Sequence, residues 1–300
     1  MGDVMILSVS TRCDIPAQYF DWFINRINEG YVDVRNPMFR NNVSRIMLNN
    51  DNIDAIVFAT KNPIYLSDKL ETLNDYKCIF HVTITPYKND IEPNVPDKKK
   101  VIEAFKKISQ ARGINSLVLR YDPILLNDKY TISYHIKAFE ALCNQLQGYT
   151  RRVIISFIDI YKNTKNNSKV LNLKQITIED INLIAEAFGT IANKYGMQIS
   201  MCAEEYDLTK YGINTDSCIN QITMDMLHIN KKFKKGKLRN KCKCIETVDI
   251  GSYNCCTHFC KYCYANFEES KVVENSQNHN PKSSLILGEL TKEDIIKIRK

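Results

Sequence analysis

The sequence contains no run of about 18 apolar residues, which is the length that a membrane-spanning helix needs. Its first residues lead directly into a strand-like apolar run, without the charged region and cleavage site of a secretory signal. No Gly-rich nucleotide-binding fingerprint follows an apolar run, and no segment repeats at a fixed period. These absences argue against a membrane protein, a secreted protein, a dinucleotide-binding domain and a repeat protein. They predict a cytoplasmic location.

Cysteine is unevenly distributed along the chain. Eight of the 11 cysteines lie in the last third of the sequence, namely Cys202, Cys218, Cys242, Cys244, Cys255, Cys256, Cys260 and Cys263. A small secreted domain would use such a set for disulfides, but a chain without a visible signal sequence is expected to keep its thiols reduced. The clustering therefore indicates metal ligation rather than cross-linking.

Three of these cysteines are spaced C-x3-C-x2-C at Cys256, Cys260 and Cys263. One loop with this spacing can direct three thiolates at a single metal centre, and thiolates favour iron–sulfur clusters or zinc. Three ligands leave one iron of a four-iron cluster open, whereas a zinc site normally takes a fourth protein ligand. The spacing therefore favours a [4Fe–4S] cluster.

Apolar runs and amphipathic helical patterns alternate along the chain, with about seven strand-like runs in all. This alternation predicts an α/β protein with a parallel sheet and helical crossovers. We expect a (β/α) barrel of the TIM type, complete or partial, over residues 1–270, with the cysteine loop at 250–266. Residues 271–300 are expected to add a polar loop and a terminal helix to the same domain.

Polar side chains follow one predicted strand after another. In a parallel barrel the carboxyl ends of the strands meet at one mouth, where active sites collect. We therefore expect a polar cavity there, and the alternative is that these groups only form ion pairs across the rim. The candidate catalytic residues are Arg12, Asp14, Lys61, Asn62, Arg120, Asp122, Asp159, Glu204 and Glu205.

The cysteine loop resembles that of radical S-adenosylmethionine (radical SAM) enzymes, and its Cys-Tyr-Ala ending is similar to the branch containing spore photoproduct lyase. Further motifs along almost the whole chain resemble a bacterial family of unknown function that is often labelled "DNA repair photolyase". Those motifs are Ser10-x-Arg12-x-Asp14-Ile15-Pro16-Ala17, Lys61-Asn62-Pro63, Glu92-Pro93-Asn94-Val95-Pro96, Arg120-Tyr121-Asp122-Pro123 and Cys202-Ala203-Glu204-Glu205.

The resemblance implies a [4Fe–4S] cluster on the three cysteines, with SAM at the open iron. Tyr262 and Glu204 are then the candidate cofactor-binding residues, and a ferredoxin or flavodoxin is the expected reductant. Radical SAM barrels carry their cysteine loop after the first strand, so a loop after the last strand implies a circularly permuted barrel. Their Gly-Gly-Glu motif has only Gly288-Glu289 as a counterpart here. The alternative is a metal-binding protein without SAM chemistry, whose iron–sulfur or zinc centre is structural or carries electrons.

The net charge of +7 is concentrated in one segment, residues 231–243. Its basic side chains are Lys231, Lys232, Lys234, Lys235, Lys237, Arg239, Lys241 and Lys243. Such a segment is compatible with an anionic partner such as nucleic acid, and the alternative is a solvated loop.

Four other cysteines form a candidate second metal site, comprising Cys202, Cys218, Cys242 and Cys244. Consecutive barrel strands are neighbours, so a cysteine that ends one strand and a pair that precedes the next can meet at one rim. Four thiolates would hold zinc or a second cluster. The alternative for Cys202 is a small core residue.

Overall fold

The computed structural model describes residues 5–236 and 242–299. Eight strands form the main sheet, in the order β10-β1-β4-β5-β6-β7-β8-β9, and all hydrogen-bonded neighbours are parallel. The strands are β1 (Ile6–Val9), β4 (Ala55–Thr60), β5 (Cys78–Thr83), β6 (Leu117–Ile124), β7 (Arg152–Phe157), β8 (Gln198–Met201), β9 (Ile213–Asn214) and β10 (Val248–Asp249). The predicted α/β architecture with a parallel sheet is confirmed.

The sheet is open, because β9 and β10 form its two edges and do not pair with each other within the described residues. Of the complete or partial barrel that was expected, the described residues do not form the complete one. Each edge strand is only two residues long and offers few hydrogen bonds for closure. The connection between the edge strands packs against one face of the sheet, where Met224 and Ile245 join Val57 and Ile154 in an apolar cluster.

The described residues form ten α-helices. They are α1 (Ile15–Gln18), α2 (Phe20–Glu29), α3 (Ile64–Ser67), α4 (Lys98–Arg112), α5 (Ile132–Leu146), α6 (Lys162–Asn166), α7 (Ser168–Leu171), α8 (Ile178–Lys194), α9 (Gln221–Met226) and α10 (Glu269–Gln277). Helices α2, α4, α5 and α8 cover the opposite face of the sheet, whereas α9 belongs to the β9–β10 connection on the first face. The predicted N-caps are present. The side chains of Asp97 and Thr131 accept hydrogen bonds from backbone N–H groups in the first turns of α4 and α5. No helix in the described part of the chain is both long and apolar enough to cross a membrane.

A second, three-stranded sheet consists of β2 (Tyr31–Arg35), β3 (Asn42–Met47) and β11 (Ile295–Ile298). The predicted terminal helix is wrong for Ile295–Ile298, because these residues form β11, which pairs in parallel with β3. Isoleucine-rich sequence favours strand over helix, and the Arg35–Asp294 ion pair fixes the start of β11. Helix α10 occupies part of the segment where a polar loop was expected.

Helix α8 approaches the segment before β9 so closely that only glycine fits at position 189. A methyl group there would lie 1.9 Å from the carbonyl oxygen of Tyr211. We expect Gly189→Ala to lower the free energy of unfolding by about 1–3 kcal/mol, even though alanine favours helix by about 1 kcal/mol. Urea denaturation measures this change. The exposed neighbour Thr190→Ala is the control, and equal stability of Gly189→Ala and the unmutated protein would contradict the close approach.

Candidate metal centre and its polar surroundings

The cysteine loop begins directly after β10, beside the loop that follows β1. Leu7 and Ser8 of β1 pair with Val248 and Asp249 of β10. Asp249 accepts a hydrogen bond from the backbone N–H of Thr11 at 3.1 Å and forms a 2.6 Å ion pair with Arg12. The first and last strands of the main sheet in chain order are therefore neighbours, and the loops that follow them form one surface.

Cys256, Cys260 and Cys263 are half-buried on this loop, whereas Cys255 is fully buried and turned towards Cys13. Asn254 and Phe259 adopt left-handed backbone conformations, with φ of 52° and 53°, which let the chain turn tightly around the thiols. Cys260 and Cys263 lie near enough to Cys256 for their charges to raise its pKa. The three thiols therefore lie in one neighbourhood.

Backbone N–H groups point at two of the sulfur atoms. Cys263 Sγ accepts from the N–H of Ala265 at 3.3 Å and from that of Asn266. Cys256 Sγ accepts from the N–H of His258, and Gln18 Nε2 lies 3.5 Å from the same sulfur. Such donors stabilise a thiolate and tune the metal centre that it binds. Burial raises the pKa of all three thiols, so metal binding must release their protons.

A buried carboxylate, Glu92, lies beneath the loop. It is 1% exposed, and its Oε1 accepts from Lys61 Nζ at 2.8 Å and from Thr85 Oγ1 at 2.7 Å. Lys98 and the Tyr262 hydroxyl also donate to it. Burial acts to raise the pKa of Glu92, but the Lys61 and Lys98 charges outweigh it and hold that pKa at about 2. Two ammonium groups and one carboxylate therefore leave a net positive charge beside Cys260.

Asp14 joins the cysteine loop to the ends of β1 and β4. Its carboxylate accepts from Ala17 N at 3.2 Å, from Lys61 N at 2.8 Å and from His258 Nε2 at 3.0 Å. The other ring nitrogen of His258 lies 3.2 Å from the carbonyl oxygen of Asn94. His258 is therefore engaged at both nitrogens and positions the loop.

The structure brings only some of the predicted site residues to this loop. Four of them contact the loop or the residues next to it, namely Arg12 through Asp249, Asp14 through His258, Lys61 through the Tyr262 ring, and Tyr262 itself. The Tyr262 hydroxyl is engaged by Glu92 and its ring lies edge-on to Tyr87, so it packs within the protein.

Other candidates have local roles or lie apart. The Asn62 side chain accepts from Ile64 N at the start of α3, and Glu204 accepts from Phe157 N at the end of β7. Asp159 and Glu205 are exposed. Gly288 and Glu289 contact Ser283, Asn280 and Arg35 beside the small sheet.

Arg120 and Asp122 form an ion pair on β6, and Arg120 Nη1 lies 3.4 Å from His81 Nδ1. Three of the other cysteines converge beside this pair. Cys218 Sγ lies 3.0 Å from Cys202 Sγ and 3.4 Å from Cys244 Sγ. Because those two thiols donate to Cys218, its pKa is held well below the ordinary thiol value.

Within the described residues, no three His, Cys, Asp or Glu side chains already surround a point at which a single metal ion would fit. This holds for the thiols of the cysteine loop and for the other converging cysteines, so either set would have to rearrange around a metal centre.

Sequence reasoning missed Glu92, Lys98 and His81 as parts of these sites. Glu92 lies in a long loop rather than directly after a strand, so position along the chain gave no indication of it. Its place in the motif Glu92-Pro93-Asn94-Val95-Pro96 was the feature of the sequence that could have indicated its role. Lys98 begins α4, where a lysine normally faces solvent.

The sequence matches a family described as "Domain of unknown function (DUF1848)" over residues 6–265. The chain belongs to this family. The match covers the main sheet and the cysteine loop, so both sites described above are part of the DUF1848 region. No curated protein matches the chain.

Proposed function

We propose that this DUF1848 protein is an iron–sulfur enzyme of the radical SAM type. Cys256, Cys260 and Cys263 hold a [4Fe–4S] cluster, and SAM occupies its open iron. The observation that carries the proposal is the set of three half-buried thiols on one tight loop, two of them receiving backbone N–H donors. This donor set fits a cluster better than zinc, because His258 is held by Asp14 and Asn94 and does not supply a fourth ligand.

The position of the loop supports the comparison with radical SAM barrels. The loop follows the last strand of the main sheet, but that strand pairs with β1. A circular permutation of a barrel would produce this neighbourhood. We propose that the open sheet is a partial, permuted version of that architecture.

The residues around the loop would serve the cofactors in distinct ways. When bound, the cluster and SAM supply a 5′-deoxyadenosyl radical that removes a hydrogen atom from the substrate. Lys61, Lys98 and Glu92 together carry a net positive charge near Cys260, although Glu92 acts on that thiol more strongly than either lysine, and this charge would offset part of the negative charge of a thiolate-ligated cluster. Asp14 and His258 fix the loop that carries the ligands.

An anionic substrate, such as nucleic acid, fits the basic composition. Lys231, Lys232, Lys234 and Lys235 precede the cysteine loop in sequence, and Lys243 lies beside the second cysteine group. Lys237, Arg239 and Lys241 lie outside the described residues. Lys231 forms an ion pair with Asp54, and the other lysines of the segment would attract phosphate groups in a salt-dependent manner.

Anaerobic purification and reconstitution with iron and sulfide test the proposal. We expect a brown protein with about four irons per chain, which forms 5′-deoxyadenosine when dithionite and SAM are added. A flavodoxin or ferredoxin should replace dithionite as the electron donor. The control is the same reaction without dithionite.

The second candidate function is a metal-binding protein without SAM chemistry, favoured by the absence of a clear Gly-Gly-Glu motif. A full cluster that yields no 5′-deoxyadenosine with any reductant would support this candidate and overturn the SAM proposal. If the protein takes up neither iron nor sulfide, both the radical SAM proposal and an iron–sulfur protein without SAM chemistry are overturned.

A further inference from the structure

The second group of cysteines lies where the two edges of the open sheet approach each other. Cys202 follows β8, Cys218 follows β9, and Cys244 precedes β10. Each of the three is less than 10% exposed. A hydrogen bond also joins the side chains of Cys242 and Cys244. Four thiols from three separate segments therefore meet at one place.

We propose that Cys202, Cys218, Cys242 and Cys244 form a mononuclear zinc site that is separate from the cysteine loop. The sequence allows either zinc or a second cluster at these residues, and the distances between the sulfurs decide between them. The Cys218 sulfur lies 3.0 Å from that of Cys202 and 3.4 Å from that of Cys244.

Zn–S bonds of about 2.3 Å in a tetrahedron place neighbouring sulfurs roughly 3.8 Å apart. The described side chains leave no ready-made position for an ion, and the two sulfur pairs at 3.0 Å and 3.4 Å would have to widen by less than about 1 Å to accept one. Thiolates on a cluster bind different irons and must be separated by the width of the cluster core. The close packing of the sulfurs therefore favours a single ion.

A disulfide is the main chemical alternative for sulfurs this close. Its S–S bond of about 2.04 Å joins only two atoms, whereas the Cys218 sulfur contacts two partners. A disulfide would use two of the three converging thiols and would not account for the buried position of the third. A tetrathiolate ion uses all of them together with Cys242.

The surroundings supply what a tetrathiolate site needs. His81 is 2% exposed, and its Nδ1 faces Arg120, which can only donate. The ring proton must therefore sit on Nε2, which has no hydrogen-bond partner among the described residues. The charge of Cys218 acts on this ring, so the two lie close. A buried N–H beside a metal-bound thiolate is a common supporting interaction.

Buried positive charge lies near the same sulfurs. Arg120 is paired with Asp122, but Arg152, 9% exposed, forms no ion pair with any carboxylate of residues 5–236 or 242–299. The charge of Cys218 acts on both guanidinium groups. Because a buried charge without an ion-pair partner is costly, a zinc ion with four thiolates, which is negative overall, would stabilise Arg152, on which the charge of Asp216 also acts.

The site would reinforce the junction between the segments next to the two edge strands, which a 3.1 Å hydrogen bond from Ile245 N to the carbonyl oxygen of Ile219 already connects. Cys202 and Cys218 belong to the β8–β9 edge, and Cys242 and Cys244 lead into β10. The ion would therefore be structural and would fix the chain beside Lys243. This proposal does not depend on the cysteine loop, because no residue is shared.

Metal analysis of the full chain that carries Cys256→Ala, Cys260→Ala and Cys263→Ala tests the proposal. We expect about one zinc per chain, no acid-labile sulfide, and loss of the zinc when Cys242→Ser and Cys244→Ser are added. Replacement with Co²⁺ should give the sulfur-to-metal charge-transfer and visible bands of a tetrahedral tetrathiolate. Cys78→Ser, at a buried cysteine away from both groups, should leave the metal content unchanged.

Three outcomes would overturn the site: no bound metal, iron with sulfide in the variant, or a disulfide detected by mass spectrometry without reductant. If the variant lacking the loop cysteines does not fold, zinc is measured on the otherwise unmutated chain with and without Cys242→Ser and Cys244→Ser. A difference of about one zinc supports the site, and equal zinc contents overturn it.

Discussion

Replacement of Cys256, Cys260 and Cys263 with alanine is expected to reduce bound iron and sulfide from about four atoms each per chain to background. The remaining groups near the loop cannot substitute for the thiolates. His258 is held by Asp14, and Gln18 offers only a weak amide. Formation of 5′-deoxyadenosine should be lost together with the cluster. Iron and sulfide assays and the visible absorbance of anaerobically reconstituted protein measure the change.

The control for this prediction is Cys143→Ala on α5, which removes a buried thiol on the helical side of the sheet. That variant should reconstitute like the unmutated protein. Each single alanine variant of the loop should also lose most of its iron, because three-ligand clusters have no spare protein ligand. A triple variant that keeps full iron and sulfide would show that the cluster is elsewhere.

The second large effect is expected at Glu92. Replacement by glutamine keeps the shape but leaves the Lys61 and Lys98 ammonium groups beside each other without a carboxylate. Lys61 and Lys98 side chains are 15% and 24% exposed, so solvent screens them little. Removal of one partner from a buried ion pair costs about 3–5 kcal/mol. Urea unfolding of Glu92→Gln should show a loss of this size.

Asp90→Asn is the matched control, because the ion pair between Asp90 and Lys129 lies near solvent. The Lys129 side chain is 53% exposed and that of Asp90 is 42% exposed. An exposed pair contributes at most about 1 kcal/mol. Addition of Lys98→Met to Glu92→Gln should restore part of the lost stability, because one unpaired charge is removed. Equal stabilities of Glu92→Gln and Asp90→Asn would mean that the buried network contributes little.

The sequence predicts the parts of this fold that depend on short segments. Apolar runs located the long strands, and Asp97 and Thr131 identified the starts of α4 and α5. The open edge between β9 and β10 was not predictable, because it depends on where their connection packs. The terminal strand was missed for a similar reason, since β11 is ordered by β3, about 250 residues away in sequence.

The candidate site shows the same division. Spacing alone identified Cys256, Cys260 and Cys263, and their loop lies beside the groups that follow β1 and β4. Glu92 could not be placed, because its role follows from four donors that arrive from distant segments. Arg120 and Asp122 were expected at a shared cavity; Arg120 lies near the second cysteine group, and the charge of Asp122 also acts on Lys61 beside the cysteine loop.

The pairing of β1 with β10 has a consequence for biosynthesis. Leu7 leaves the ribosome about 240 residues before Val248, its partner, which at roughly 5–20 residues per second is an interval on the order of ten seconds or more. Throughout that interval one edge of β1 has no strand beside it, and unpaired edges promote aggregation. This edge of β1 is therefore covered only late in translation, and the cysteine loop, which follows β10, is synthesised after its partner surface at β1 has waited for the same interval.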